Sequence, residues 1–246
     1  MTRRPKPPPY GVVVFDCDST LAEIEGIEAL AQDAAPEVRE RIEALTAEAM
    51  EGRMPLEQAY GARLAAIRPN REDVRRIGEL YVQHALPHAA ELMEALRHLG
   101  KQLFVVSGGL LDPVRHLAKE LGIDASRAMA VDVHFDERGD YAGFDEQSPL
   151  ARSGGKLDVL GEIALQDMGP MALVGDGATD LEAAPLCARF VAFAGVEARP
   201  QVMAAADAVC TRPDLAALLP HLCSPAELDR LRAADRFSSL LAAAEA

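Results

Sequence analysis

Gly11-Val12-Val13-Val14-Phe15-Asp16-Cys17-Asp18-Ser19-Thr20 is a short apolar run that ends in two acids and two hydroxyls. The run reads as a buried strand. Burying an unpaired carboxylate is costly, so a strand that finishes in two of them needs something to offset their charge. A bound cation would do so, and a carboxylate beside a cation can act as a nucleophile. The functional centre is therefore expected at Asp16 and Asp18. Cys17, between them, should alternate away from the site and pack.

Working outward, β-rich runs at 102–107, 171–176 and 189–194 resemble the first, and helical apolar spacing marks 88–99, 112–121, 156–165 and 180–186. This alternation predicts an α/β fold, a parallel sheet covered by helices on both faces. Ligands in such sheets bind at the carboxyl ends of the strands, where Asp16, Ser107 and Asp176 are all expected. Residues 22–86 break the alternation. They read as roughly four helices, a cap inserted directly after the first strand. Alternation around a Gly-containing turn predicts a β-hairpin over 130–145. The boundaries that follow are an α/β core over 10–21 and 87–222, the helical cap over 22–86, and a helical extension over 223–246. Residues 1–9, with Pro-Pro-Pro before Tyr10, read as a flexible arm. The extension has two expected roles, covering the sheet edge or forming a homodimer contact, and its residues do not choose between them.

Across 246 residues the net charge is −14, which argues against nucleic-acid binding, since that needs basic surface. A few local cations would still admit a small anionic substrate. No run is long enough to span a bilayer. The 4 cysteines are widely spaced with no CxxC pair, so reduced thiols and a cytoplasmic location are expected.

Three further segments join the acid pair. Ser107-Gly108-Gly109 offers a hydroxyl and glycine amides to an anion, though it also reads as a plain turn. Ser153-Gly154-Gly155-Lys156 places a lysine at a helix start, where a solvated lysine is the ordinary alternative. Gly175-Asp176-Gly177-Ala178-Thr179-Asp180 is a second strand-end acid pair, which favours cation binding over a simple capped turn.

In this order the four segments resemble the haloacid dehalogenase superfamily of phosphatases. Asp16-Cys-Asp-Ser-Thr20, Glu25-Gly26-Ile27, Tyr141-Ala-Gly-Phe-Asp-Glu146, Ser153-Gly-Gly-Lys156 and Val174-Gly-Asp-Gly-Ala-Thr-Asp180 are similar to its phosphoserine phosphatase family, over about residues 10–220. The resemblance implies a Rossmannoid parallel-sheet core with a small helical cap after the first strand. It also implies Mg2+-dependent hydrolysis of O-phospho-L-serine, the last step of serine synthesis. The alternative it leaves open is a phosphatase or phosphotransferase acting on another small amino-acid or amino-alcohol phosphate.

Carried over residue by residue, the resemblance makes Asp16 the nucleophile and Asp18 the acid and base. Mg2+ falls to Asp16, Asp176 and the backbone carbonyl of Asp18, with Asp180 behind them orienting a metal-bound water or Lys156. Lys156, Ser107, Gly108, Gly109 and Thr179 fall to the phosphoryl group. In the cap, Glu25 is implied for the substrate ammonium, Arg63 for its carboxylate and Met50 for its apolar side. Leu56 follows Pro55 where the family often has phenylalanine, which loosens the implied seal over the substrate.

Overall fold

The computed structural model describes residues 7–32, 34–50 and 54–246. The side chains of residue 43, residues 46–50 (Met50 among them) and residue 56 lie outside the described residues, as do residues 1–6 of the expected arm. The opening run forms β1 (Val12–Phe15), and all four residues are buried. Such a run suits only a strand covered on both faces, as in a parallel sheet. β1 lies between β2 (Gln102–Leu110) and β6 (Met171–Gly175), parallel to both. The full sheet has the order β3-β2-β1-β6-β7-β8, with β3 at Ala128–Val131, β7 at Arg189–Phe193 and β8 at Ala208–Cys210. After β1 the chain builds one side of the sheet and then returns to build the other. The strand order therefore reverses at the carboxyl end of β1, which opens a crevice there.

Of the five helices between β1 and β2, the first four form an inserted cap: α1 (Gly26–Gln32), α2 (Pro36–Met50), α3 (Leu56–Ile67) and α4 (Arg71–Gln83). The two ends of the insert are pinched together by an antiparallel bridge between Ala22 and Ala85. The Leu86 amide donates to the Leu21 carbonyl at 2.9 Å beside it. Asn70 and Asp73 form a capping box that starts α4. Its buried residues Val74, Ile77, Gly78 and Tyr81 follow helical spacing and lay one stripe inward.

The core helices are α5 (Ala89–His98), α6 (Leu111–Glu120), α7 (Gly155–Ala164), α8 (Ala178–Ala183), α9 (Pro200–Ala205) and α10 (Leu219–Leu222). α4 packs along α6, seating the cap on the core. The hairpin consists of β4 (Val133–Phe135) and β5 (Tyr141–Phe144). It reaches the cap from the core side, with Phe144 against the Tyr60 ring at 5.3 Å and the Arg71 guanidinium over Phe135 at 4.8 Å.

Three details differ from expectation. β2 runs three residues past Ser107, with irregular pairing between Val106 and Leu110, so the Ser-Gly-Gly segment lies inside a strand. Val131 belongs to β3 rather than to the hairpin. β3 and β8 are short strands whose residues gave no alternation to read.

The C-terminal extension folds as α11 (Pro225–Arg232) and α12 (Ser238–Glu245). It packs onto its own chain at α10 and the turn Leu215–Leu218, burying Leu231, Phe237 and Leu240. Lys101, at the start of β2, is buried against it, with Nζ 2.6 Å from Glu227 Oε1 and 3.0 Å from the Tyr10 carbonyl.

Candidate active site

At the carboxyl ends of β1 and β6, Asp16, Asp176 and Asp180 are buried with one oxygen from each within 4.8 Å of the others. Asp16 follows β1 directly and its amide continues the ladder to the Val174 carbonyl at 2.9 Å. Asp180 reaches back under β6 because Gly175 has no side chain: a Cβ there would stand 2.3 Å from the Asp180 carboxyl carbon. Lys156, at the start of α7, points into the cluster. Its Nζ lies 2.7 Å from Asp16 Oδ2 and 2.7 Å from Asp180 Oδ1.

Asp16 and Asp180 share this one ammonium, while Asp176 pairs with the Arg199 guanidinium. Burial opposes the charge on Lys156, but Asp16 and Asp180 hold its pKa above the ordinary lysine value. Burial and then the Asp16 charge push Asp180 up to about 8 and Asp176 up to about 6. The site thus retains more negative charge than its own cations offset. A compact set of hard carboxylate oxygens around excess negative charge is what Mg2+ takes. The residues present fit that ion.

Asp18 turns away from the cluster. Its Oδ1 accepts from the Gly26 amide at 2.8 Å and from the Tyr81 hydroxyl at 2.5 Å. Ser107 Oγ lies 3.4 Å from its Oδ2. Burial, with the Asp16 charge adding to it, raises Asp18 to about 6 despite those hydrogen bonds. A carboxyl group so raised holds a proton more readily than an exposed one. The Gly109 amide, expected to face an anion, donates instead to Ser107 Oγ at 2.9 Å. Gly108 is half-buried beside it, and Thr179 is half-buried in the first turn of α8. The Cys17 side chain is fully buried, and burial followed by the two neighbouring acids raises its thiol well above the usual range.

Over this floor the cap presents two ionic groups. Glu25 accepts from Ser19 Oγ at 2.7 Å, and burial and then the Asp18 charge push it to about 8. Arg63 pairs with Glu28 at 3.1 Å. Arg63 Nε and the Tyr60 hydroxyl, one helical turn away, are buried without a hydrogen-bond partner among the described residues. Such donors cost stability unless an acceptor arrives, and a substrate carboxylate is one.

Three participants were not anticipated. Arg199, on the loop before α9, pairs with Asp176 and lies 3.7 Å from Glu25, joining core to cap. Tyr60 and Tyr81 enter from the inward faces of α3 and α4. A cation shortly after a predicted strand end was the one available signal for Arg199. The tyrosines carried none beyond their apolar phase.

Fold and site define a hydrolase that works from a strand-end carboxylate: the chain belongs to the haloacid dehalogenase-like hydrolase family, matched over residues 10–186. Within that family it is closely related to phosphoserine phosphatases. It is 39% identical to phosphoserine phosphatase of Bos taurus, over 77% of this chain and 84% of that one. The Homo sapiens phosphoserine phosphatase gives the same 39% over the same shares. Among solved structures, a substrate-bound phosphoserine phosphatase complex superposes with a TM-score of 0.73 at 26% identity, covering 88% of this chain and 100% of that one. A phospho-aspartyl intermediate analogue of phosphoserine phosphatase gives a TM-score of 0.72 at 27% identity, over 87% and 99%.

Proposed function

We propose that the chain is a Mg2+-dependent phosphoserine phosphatase that hydrolyses O-phospho-L-serine to L-serine and phosphate through an aspartyl-phosphate on Asp16. The observation that carries this reading is the set of Asp16, Lys156, Asp176 and Asp180 beneath a cap with unsatisfied buried donors at Arg63 and Tyr60. An anionic carboxylate is repelled by a phosphate dianion, so catalysis depends on charge neutralisation and positioning. Mg2+, held by Asp16, Asp176 and the Asp18 carbonyl, would supply the Lewis-acid charge that offsets the phosphoryl oxygens. Lys156 adds a fixed positive charge beside Asp16, and Asp180 holds that ammonium in place. Ser107, together with Gly108 and Thr179, binds the transferring group.

Asp16 attacks phosphorus, the phosphorus–ester oxygen bond breaks, and the proton on Asp18 passes to the departing serine oxygen. Asp18 then takes a proton from water as that water displaces phosphate from Asp16. Glu25 receives the substrate ammonium, and Arg63 with the Tyr60 hydroxyl receives its carboxylate. Met50 is assigned the apolar side of the pocket by the family resemblance alone.

No helix among the described residues is long and apolar enough to cross a membrane. A cytoplasmic setting, where thiols stay reduced, suits the buried Cys17, Cys210 and Cys223 side chains. The deciding experiment is phosphate release across small phosphomonoesters, with Mg2+ and with a chelator. The expected outcome is Mg2+-dependent turnover led by phosphoserine. Faster turnover of phosphothreonine, homoserine phosphate or an amino-alcohol phosphate would transfer the assignment to that substrate, and metal-independent turnover would refute the mechanism.

A further inference from the structure

We infer that Tyr81 is a positioning residue for leaving-group departure: with the Gly26 amide it pins one oxygen of Asp18 and leaves the other to carry the proton. The inference rests on the reading of Asp18 as the acid and base. Asp18 Oδ1 accepts both the Tyr81 hydroxyl at 2.5 Å and the Gly26 amide at 2.8 Å. An oxygen that already accepts two strong donors is a poor place for a proton. Oδ2 faces Ser107 Oγ at 3.4 Å and lies 2.9 Å from where a Cβ on Gly109 would stand. Oδ2 therefore looks at the segment assigned to the phosphoryl group, the side from which the ester oxygen departs.

The slot is shaped around this hydroxyl. Tyr81 is fully buried. A Cβ at Gly26 would lie 2.3 Å from its Oη, and one at Gly109 would lie 3.3 Å away. Glycine at both positions lets the phenol reach a carboxylate 63 residues away in sequence. Tyr81 sits on the cap helix α4 and Asp18 on the core, so the bond joins cap to core.

The chemistry offers a clean separation. When serine leaves, the phosphorus–oxygen bond breaks and the electron pair on the departing oxygen takes the proton from Asp18 Oδ2. When acetyl phosphate reacts, acetate leaves as a stable anion and needs none. The test is single-turnover release of serine from O-phospho-L-serine and of acetate from acetyl phosphate, with Mg2+, by wild type and Tyr81→Phe. Serine release should fall about 10-fold or more, a share of the ~10²–10⁴ that general acids supply, while acetate release stays within about twofold. The KM for phosphoserine should hold, and thermal melting should show an intact fold.

Equal losses on both substrates would make Tyr81 merely structural, and unchanged serine release would remove it from the chemistry; either result overturns the inference. Gly26→Ala, whose Cβ displaces the hydroxyl, must give the same split, which keeps the test available if Tyr81→Phe fails to fold. A wild type that releases no serine refutes the phosphoserine reading instead. The comparison is then made on whichever alkyl phosphate the wild type hydrolyses.

Discussion

Replacing Lys156 by methionine removes the one ammonium that Asp16 and Asp180 share while keeping most of the side-chain volume. Each 2.7 Å contact carries about 6 kcal/mol of Coulomb attraction at an effective dielectric of ~20. Desolvation of the ammonium offsets much of that, and deleting one partner of a buried pair costs about 3–5 kcal/mol in practice. At about 2–4 °C per kcal/mol for a chain of this size, the midpoint of thermal unfolding should fall by ~6–20 °C without metal. The three carboxylates then have a stronger need for a cation. The gap between melting with and without Mg2+ should widen beyond the wild-type gap, which is about 2.7 kcal/mol at a Mg2+ concentration 100 times Kd. Phosphoserine turnover should fall by ~10²–10³-fold or more, because the charge beside the nucleophile is lost. Differential scanning fluorimetry across a Mg2+ titration, paired with phosphate release, reads both effects. A metal-free midpoint within about 2 °C of wild type would show that Lys156 does not neutralise the cluster, and the electrostatic account of the site would fail.

Arg63→Ala should raise the KM for phosphoserine by about tenfold or more while kcat changes far less, since it removes binding rather than chemistry; an unchanged KM in steady-state kinetics would count against a carboxylate site in the cap. Glu227→Gln should lower stability by about 2 kcal/mol at neutral pH, because the buried Lys101 ammonium keeps an amide acceptor but loses its counter-charge. Burial pushes the Glu227 pKa up, but pairing to Lys101 and the Ser224 hydrogen bonds together hold it below its ordinary 4.5. The pair's contribution is therefore present above that value and lost as pH falls through the lower folded value. Urea unfolding at neutral and acidic pH checks this: the gap between wild type and variant should close on the acid side, and a constant gap would refute the linkage.

The sequence alone carried the α/β class, the helical insertion and the acid-bearing strand ends, because each is local. A continuous apolar run with its turn chemistry specifies a covered parallel strand wherever it occurs. A glycine beside an acid marks a tight approach before any partner is known. β3 and β8 were invisible for the converse reason. Ala128–Val131 and Ala208–Cys210 are too short to show a pattern, and pairing against β2 and β7 makes them strands. The same limit divides the site. Asp16, Lys156, Asp176 and Asp180 could be picked out individually, since each sits in a recognisable turn. Only the fold decided that the Asp18 carboxylate turns from the cluster toward Tyr81, that the Gly109 amide is taken by Ser107, and that Arg199 joins Asp176 to the cap. Those contacts depend on how α4 seats on α6, on an irregular stretch of β2 and on the path of a loop. All three follow from packing between distant segments, which local spacing does not encode.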